Sequence, residues 1–201
     1  MTDPTNVFWD SCVFIRFLIG DTNAEHYWDI KQHIEDAKKG ITIIHASTIV
    51  MAEVKPSHLT KSGYGDFNEF HRDLEGAVSF IDPTPDILQW CGVVRDFTYP
   101  NPNHTPKHPA KDKILGMADA IHLMTCVYAK EVMGVADITF HTMNDGKHKN
   151  AEGNCVTLLN FEKWTNGIPK NPHTPRIVAL PRLLPLHSQP HFLHSQPETL
   201  N

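Results

Sequence analysis

The chain has 201 residues, of which 40% are hydrophobic and 20% charged, and its formal net charge is -5. This length and composition predict one globular domain with a real core, and the negative charge argues against a protein that coats nucleic acid. The four cysteines form no CxxC pair, so we expect reduced thiols and a cytoplasmic location. Cys12 and Cys126 lie in apolar runs, and we expect them to be small core residues. No stretch approaches the ~18 apolar residues of a membrane span and no signal pattern is seen, so no membrane association is expected.

The first predicted element is a buried β-strand, Val7-Phe8-Trp9, which ends in the polar pair Asp10-Ser11. A short helix over 13–19 follows it, and apolar residues then recur at helical or strand spacing along most of the chain. Prolines crowd the segment 99–109, which we therefore expect to be an exposed loop. The other predicted helices cover 23–39, 49–54, 66–76, 86–97 and 117–133, and the other predicted strands cover 41–44, 78–81, 138–142 and 156–159.

The alternation of strands and helices predicts the fold class. Successive parallel strands need crossover helices, and these helices cover the faces of the sheet. We therefore expect an α/β protein, a three-layer α/β/α sandwich with a mostly parallel central sheet, over residues 1–167. Residues 168–201 contain seven of the fifteen prolines and the motif His-Ser-Gln-Pro twice. This segment is predicted to be a Pro-rich C-terminal extension, extended or partly disordered, that wraps the domain or a partner.

Four acidic residues occupy comparable places in this pattern. Asp10 ends the first strand, Glu53 lies on the helix after the second, Asp119 begins the long helix, and Asp145 follows the strand over 138–142. Taken alone, Asp10 is better explained as the N-cap of the next helix, since Asp and Ser are common caps. Taken together, the four positions converge on one edge of a parallel sheet, where carboxylates repel one another unless a cation binds. An all-oxygen cluster favours Mg²⁺ or Mn²⁺, which assist phosphoryl chemistry.

The same stretches resemble the PIN-domain family of metal-dependent ribonucleases, which includes the toxin nucleases of bacterial toxin–antitoxin pairs. The resemblance covers roughly residues 6 to 160 and leaves the Pro-rich extension unexplained. Each stretch is weak by itself, and their order, spacing and alternating strand–helix frame together are fairly specific. The residues that carry the resemblance are Val7-Phe8-Trp9-Asp10-Ser11, 48–53, Ala118-Asp119-Ala120-Ile121-His122-Leu123 and Phe140-His141-Thr142-Met143-Asn144-Asp145.

The resemblance assigns Asp10, Glu53 and Asp119 as metal-binding acids. The last acid of the family usually comes two residues after a Thr or Ser at the strand end. This chain has Asn144 at that place and Asp145 one residue later. Either Asp145 serves after a small shift of the loop, or the fourth ligand is the Asn144 amide, which brings less charge.

Other polar residues near these acids have a structural explanation beside the functional one. Ser11 and Thr142 match hydroxyl positions that support the site in the family. His122 lies one turn after Asp119, where it faces the site, holds Asp119 or is simply structural. The cluster Lys107, His108, Lys111 and Lys113 is either a grip on RNA phosphates or a solvated loop. His187, His191 and His194 have helical zinc-ligand spacing, but nearby prolines disfavour a helix, so we assign them to the composition of the extension.

The resemblance implies an endoribonuclease that hydrolyses RNA phosphodiester bonds by in-line attack of a metal-activated water and leaves a 5′-phosphate and a 3′-hydroxyl. It also implies a homodimer and, for a toxin, an antitoxin partner. One alternative is a PIN-like module that has lost catalysis and binds RNA or protein, which Asn144 favours. Another is a different Mg²⁺-dependent phosphoryl-transfer enzyme. A phosphatase with an Asp nucleophile normally needs a second Asp two residues later, and here that residue is Cys12.

Overall fold

The computed structural model describes residues 3–100, 113–145, 156–165 and 171–187. Five parallel strands form its central sheet, and two short strands form a separate antiparallel pair. In chain order the strands are β1 (Thr5–Trp9), β2 (Thr42–Ser47), β3 (Val78–Ile81), β4 (Thr98–Tyr99), β5 (Lys113–Ile114), β6 (Thr139–His141) and β7 (Arg182–Leu183). The spatial order of the large sheet is β3-β2-β1-β6-β7, and β4 pairs with β5. The predicted α/β class with a parallel central sheet is confirmed.

Helices cover both faces of the sheet. Alternate residues of β1 point to opposite sides, so apolar side chains on both faces need to be covered. Val7 and Trp9 pack in one apolar layer, whereas Phe8 packs in the other. None of the helices in the described ranges is long and apolar enough to cross a membrane. The Val7 layer contains α1 (Ser11–Ile19), α2 (Tyr27–Lys38), α3 (Val50–Glu53), α4 (Pro56–Lys61) and α5 (Phe67–Asp73), and the Phe8 layer contains α6 (Pro85–Arg95), α7 (Met117–Glu131), a 3₁₀ turn (Phe161–Trp164) and α8 (Thr174–Val178).

The order of the strands reverses between β1 and β6. The chain moves outward from β1 through β2 to β3, and later returns to the other side of β1 with β6 and β7. Just beyond the end of β1, the Asp10 N–H still donates to the His141 carbonyl of β6 at 3.1 Å. In open α/β sheets this reversal creates the crevice in which ligands bind. The fold therefore places its crevice directly at Asp10.

Two local differences from the predicted elements have backbone causes. The second helix begins at Tyr27 rather than at residue 23, because His26 has a φ of 65° and cannot continue a right-handed helix. Pro56 neither ends nor kinks the third helix, and instead occupies the first turn of α4. Proline suits that turn because its fixed φ is helical and its missing N–H has no helical acceptor.

The edge of the sheet beyond β6 differs from the prediction. The strand predicted over 156–159 was wrong, since these residues form no strand in the structure. Val156 and Leu158 are buried as side chains of a loop, so their apolar character reflects core packing. The fifth strand comes instead from the segment predicted as a Pro-rich extension, whose described part, 171–187, forms α8 and β7. Residues 101–109 of the predicted loop and residues 188–201 lie outside the described ranges.

The side chain of Arg182 links β7 to the rest of the domain. We expect Arg182→Ala to lower the free energy of unfolding by about 3 kcal/mol. Its side chain is only 5% exposed and pairs with Glu162 at 2.6 Å. Loss of the guanidinium leaves several buried carbonyls without their donor. Urea denaturation measures the effect, with exposed Arg72→Ala as the control, and a loss below 1 kcal/mol would show that β7 is only loosely attached. The carbonyls that accept from Arg182 belong to Leu158, Ile177 and Leu180.

Candidate active site

Asp10 is the first residue after β1 and is only 3% exposed. Its carboxylate accepts hydrogen bonds from the Thr142 hydroxyl at 2.7 Å and the Ser11 hydroxyl at 3.2 Å. Asp10 stands at the N-cap position of α1, yet its side chain makes no capping hydrogen bond. The capping explanation therefore accounts for the position of Asp10 but not for the direction of its carboxylate. Ser11 and Thr142 therefore both contact that carboxylate.

Cys12 is the residue of this cluster that sequence reasoning missed. We predicted a small core residue, but Cys12 is partly exposed and its thiol lies between the ends of β1 and β6. The thiol donates to Asp10 Oδ2 at 3.2 Å and accepts from the Met143 N–H at 3.2 Å. Burial and the neighbouring Asp10 charge raise the pKa of the Cys12 thiol well above its ordinary value, so it remains a donor to the carboxylate. Its position two residues after Asp10 was the only available signal.

Glu53 and His122 form an ion pair across the crevice. Glu53 ends α3 with its side chain 31% exposed, and His122 lies one turn into α7 with no exposure. His122 Nε2 is 2.8 Å from Glu53 Oε2 and 3.8 Å from Asp10 Oδ1. Burial alone would lower the pKa of His122, but the Glu53 hydrogen bond and the acidic neighbours outweigh it and the pKa is raised. Of the three roles considered for His122, the geometry favours facing the site.

Asp119 lies in the first turn of α7, where the helix dipole favours a negative charge. Burial, and after it the charges of Asp10 and Glu53, raise the pKa of its carboxyl to about 7 against the opposing effect of His122. A Cβ atom on Gly116, which precedes α7, would lie 2.7 Å from Asp119 Oδ2. A side chain at this position would therefore force the Asp119 carboxylate to shift.

The two candidates for the fourth position are placed differently. The Asn144 side chain hydrogen-bonds to the Asp119 carboxylate, and its backbone N–H donates to the Thr142 hydroxyl at 3.0 Å. The backbone N–H of Asp145 donates to the Met143 carbonyl at 2.9 Å. Asn144 is thus the member of the pair that the structure shows in contact with Asp119.

The donor set fits a hard divalent ion in chemistry, since Asp10, Glu53, Asp119 and Asn144 all offer oxygen. Within the residues that the structure describes, no three His, Cys, Asp or Glu side chains form a group that could hold a metal ion. Burial is the main cause of the raised pKa of Asp119, and the charges of Asp10 and Glu53 raise it in the same direction, as expected of like charges close together. In its protonated form, His122 places a compensating positive charge beside Glu53 and Asp10.

The remaining sequence candidates lie elsewhere or outside the described ranges. Lys113 belongs to β5, whereas Lys107, His108 and Lys111 lie outside the described residues. His187 is not in a helix, and its Nε2 lies 2.8 Å from Asp36 Oδ2 on α2. His191 and His194 also lie outside the described ranges, so the zinc-ligand spacing remains without structural support.

Comparison of the chain with protein-family models, with curated proteins and with solved structures finds no match. The resemblance drawn from the sequence therefore stays a prediction. The residues gathered at the crevice and their charges are the features that bear on function.

Proposed function

We propose that the protein is a Mg²⁺- or Mn²⁺-dependent endoribonuclease that hydrolyses RNA phosphodiester bonds. The observation that carries the proposal is the placement of three acids at the switch point of the sheet. His122 Nε2 lies 2.8 Å from Glu53 and 3.8 Å from Asp10, and Asp119 lies in the first turn of the same helix. The Asp119 carboxyl has its pKa raised to about 7 by burial and by the charges of Asp10 and Glu53. Folding brings these acids together from three separate elements although they repel. Such an arrangement is expected where a cation binds in the working state.

The chemistry of the ligands supports Mg²⁺ or Mn²⁺. Asp10, Asp119 and the Asn144 carbonyl would hold the ion, and partly exposed Glu53 would join them by turning away from His122. A bound divalent ion supplies charge stabilisation at the phosphate and lowers the pKa of a water nucleophile. Ser11, Cys12 and Thr142 keep the Asp10 carboxylate in one orientation. His122 holds its proton near the negative charges and offsets the repulsion that remains.

Several partners follow from the same proposal. The substrate is RNA, the protein is a homodimer, and an antitoxin protein inhibits it if it acts as a toxin. The described cysteines Cys12, Cys91 and Cys126 are free thiols, which fits the reducing cytoplasm that we propose as its location.

A second candidate is a PIN-like module that binds RNA or protein without hydrolysing it. Two observations favour it. The imidazole of His122 already pairs with Glu53 at 2.8 Å, and the fourth position contacts Asp119 through the amide of Asn144. Both features lower the negative charge available to a metal ion. The two candidates differ in whether added Mn²⁺ binds and supports cleavage.

The deciding experiment pairs Mn²⁺ titration by calorimetry with cleavage of mixed-sequence single-stranded RNA in Mn²⁺, Mg²⁺ or EDTA. We expect metal-dependent cleavage that leaves 5′-phosphate ends, and Glu53→Gln should weaken Mn²⁺ binding by about tenfold because a ligand charge is lost. Exposed Glu75→Gln is the matched control and should behave as the wild type. Metal binding without cleavage would support the binding module. Absence of metal binding would contradict the proposed metal site.

A further inference from the structure

A groove with a volume of about 410 Å³ opens beside Asp10. Small-molecule sites typically enclose ~300–1,000 Å³, so the groove has room for a ligand of nucleotide size. One wall is a single face of α1, because positions 12, 15, 16 and 19 recur at helical spacing. The opposite side comes from Met143 and from the connection between α1 and α2. The lining residues are Cys12, Ile15, Arg16, Ile19, Asp21, Ala24 and Met143.

The groove is continuous with the candidate active site through Cys12 and Met143. The Cys12 thiol lines the groove and also donates to Asp10 Oδ2 at 3.2 Å. The Met143 N–H donates to the same sulfur at 3.2 Å, so both sides of the groove meet at Cys12, next to Asp10. An RNA strand whose scissile phosphate lies beside Asp10 would therefore place the neighbouring nucleotide in the groove.

Two opposite charges line the groove without pairing. Arg16 lies in the last turn of α1 and makes no hydrogen bond or ion pair with any other described residue. The side chain of Asp21 accepts only from the backbone N–H of Asn23, at 3.0 Å, among the described residues. Half-buried Arg16 and exposed Asp21 therefore both keep unused hydrogen-bonding capacity at the lining of one groove. A ligand with both an anionic group and N–H donors would satisfy them together.

A nucleotide has this combination of groups. An Arg guanidinium binds phosphate oxygens in a bidentate fork, and the apolar side chains Ile15, Ile19 and Met143 offer contact area to the face of a base. A carboxylate accepts N–H groups, and guanine presents two adjacent donors, N1–H and the N2 amino group, on its Watson–Crick edge. Other bases present fewer adjacent donors to a carboxylate.

We propose that this groove binds the nucleotide adjacent to the scissile phosphate, with Arg16 on its phosphate and Asp21 selecting guanine. The inference rests on the proposed ribonuclease function and names the base preference of that site. It assigns specificity to residues outside the acidic cluster. Arg16 and Asp21 would touch substrate without taking part in the chemistry.

The test is fluorescence anisotropy of labelled single-stranded hexanucleotides in EDTA, so that cleavage cannot occur. One series carries a single guanine, and the other series carries adenine at the same position. We expect Arg16→Met to weaken binding of both series about tenfold and to lower the slope of log K against log salt by about 0.7. Arg16→Lys should retain the salt slope. Asp21→Asn should abolish the preference for guanine and leave the adenine series unchanged.

Matched controls are Arg72→Met and Asp137→Asn, which remove the same charges from exposed positions away from the groove. Asp137 has a φ of 48°, and asparagine tolerates that backbone nearly as well as aspartate. Circular dichroism melts verify that each variant is folded, and Arg16→Met keeps most of the apolar stem that packs in the groove. The inference would be overturned if the Arg16 and Asp21 variants bound both series with wild-type affinity. It would also be overturned if the wild type bound neither series.

Cleavage in Mn²⁺, measured on the same variants, separates this inference from the proposed function. If the wild type cleaves RNA and the rate changes neither in the Arg16 and Asp21 variants nor when guanine is replaced by adenine, the groove assignment alone is overturned. Guanine binding that depends on Arg16 and Asp21, without cleavage in any divalent metal, would support the groove and refute the ribonuclease.

Discussion

Replacing Asp10 by asparagine is expected to slow metal-dependent RNA cleavage by about a thousandfold while the fold stays intact. The carboxylate lies at the carboxyl end of the central strand and accepts from Ser11, Cys12 and Thr142. Asparagine keeps the size of the side chain but removes the charge that a divalent ion requires. The amide NH2 of asparagine is a donor and cannot accept from the hydroxyl and thiol donors around it, so at least one hydrogen bond to this side chain is lost. Single-turnover cleavage at saturating Mn²⁺ measures the effect.

Asp137→Asn is the control for this experiment. It makes the same chemical change on the exposed turn that precedes β6, at the opposite end of the sheet from the crevice. We expect this variant to cleave as the wild type does, and thermal melts should show both variants folded. Metal-dependent cleavage that persists in Asp10→Asn would show that chemistry occurs elsewhere.

The second large effect concerns stability in the absence of metal. Burial and the neighbouring acids raise the pKa of Asp119 to about 7 in the folded protein, against about 3.9 for a free Asp side chain. The folded state therefore binds a proton that the unfolded state has released. The stability that this proton contributes to the folded state is fully present below pH ~4 and is lost as the pH rises to about 7. The loss in free energy of unfolding is at most about 4 kcal/mol. We expect Asp119→Asn to abolish this loss.

Urea denaturation of the wild type and Asp119→Asn in EDTA, at pH 5 and pH 8, measures the difference. The variant should gain stability relative to the wild type as the pH rises, because it carries no charge to bury. The difference includes the coupling of Asp119 to His122, whose pKa is also raised. Added Mn²⁺ should restore stability to the wild type alone. Identical pH profiles would mean that the Asp119 carboxyl titrates normally and that the acids do not interact.

The sequence predicted the central part of the fold because the signals there are local. Apolar runs and helical spacing identified β1, β3 and α7 within a few residues, since hydrophobic periodicity depends on near neighbours. The last strand was misplaced for a related reason. Val156 and Leu158 have the apolar character of a strand but are buried in a loop, whereas Arg182–Leu183 is short, flanked by prolines and still pairs with β6. Sheet pairing at an edge depends on distant contacts, which periodicity does not report.

At the candidate site, the sequence by itself determined which acids follow the strands and begin the long helix: Asp10, Glu53 and Asp119. The tertiary structure decided how they are partnered. It brings Asn144 to Asp119 and aims His122 at Glu53. It also turns Cys12 from a predicted core residue into a hydrogen-bond donor to Asp10. These outcomes depend on distances between residues 25 or more positions apart in the sequence, or on the direction of a side chain. Only the packing of helices on the sheet sets those distances and directions.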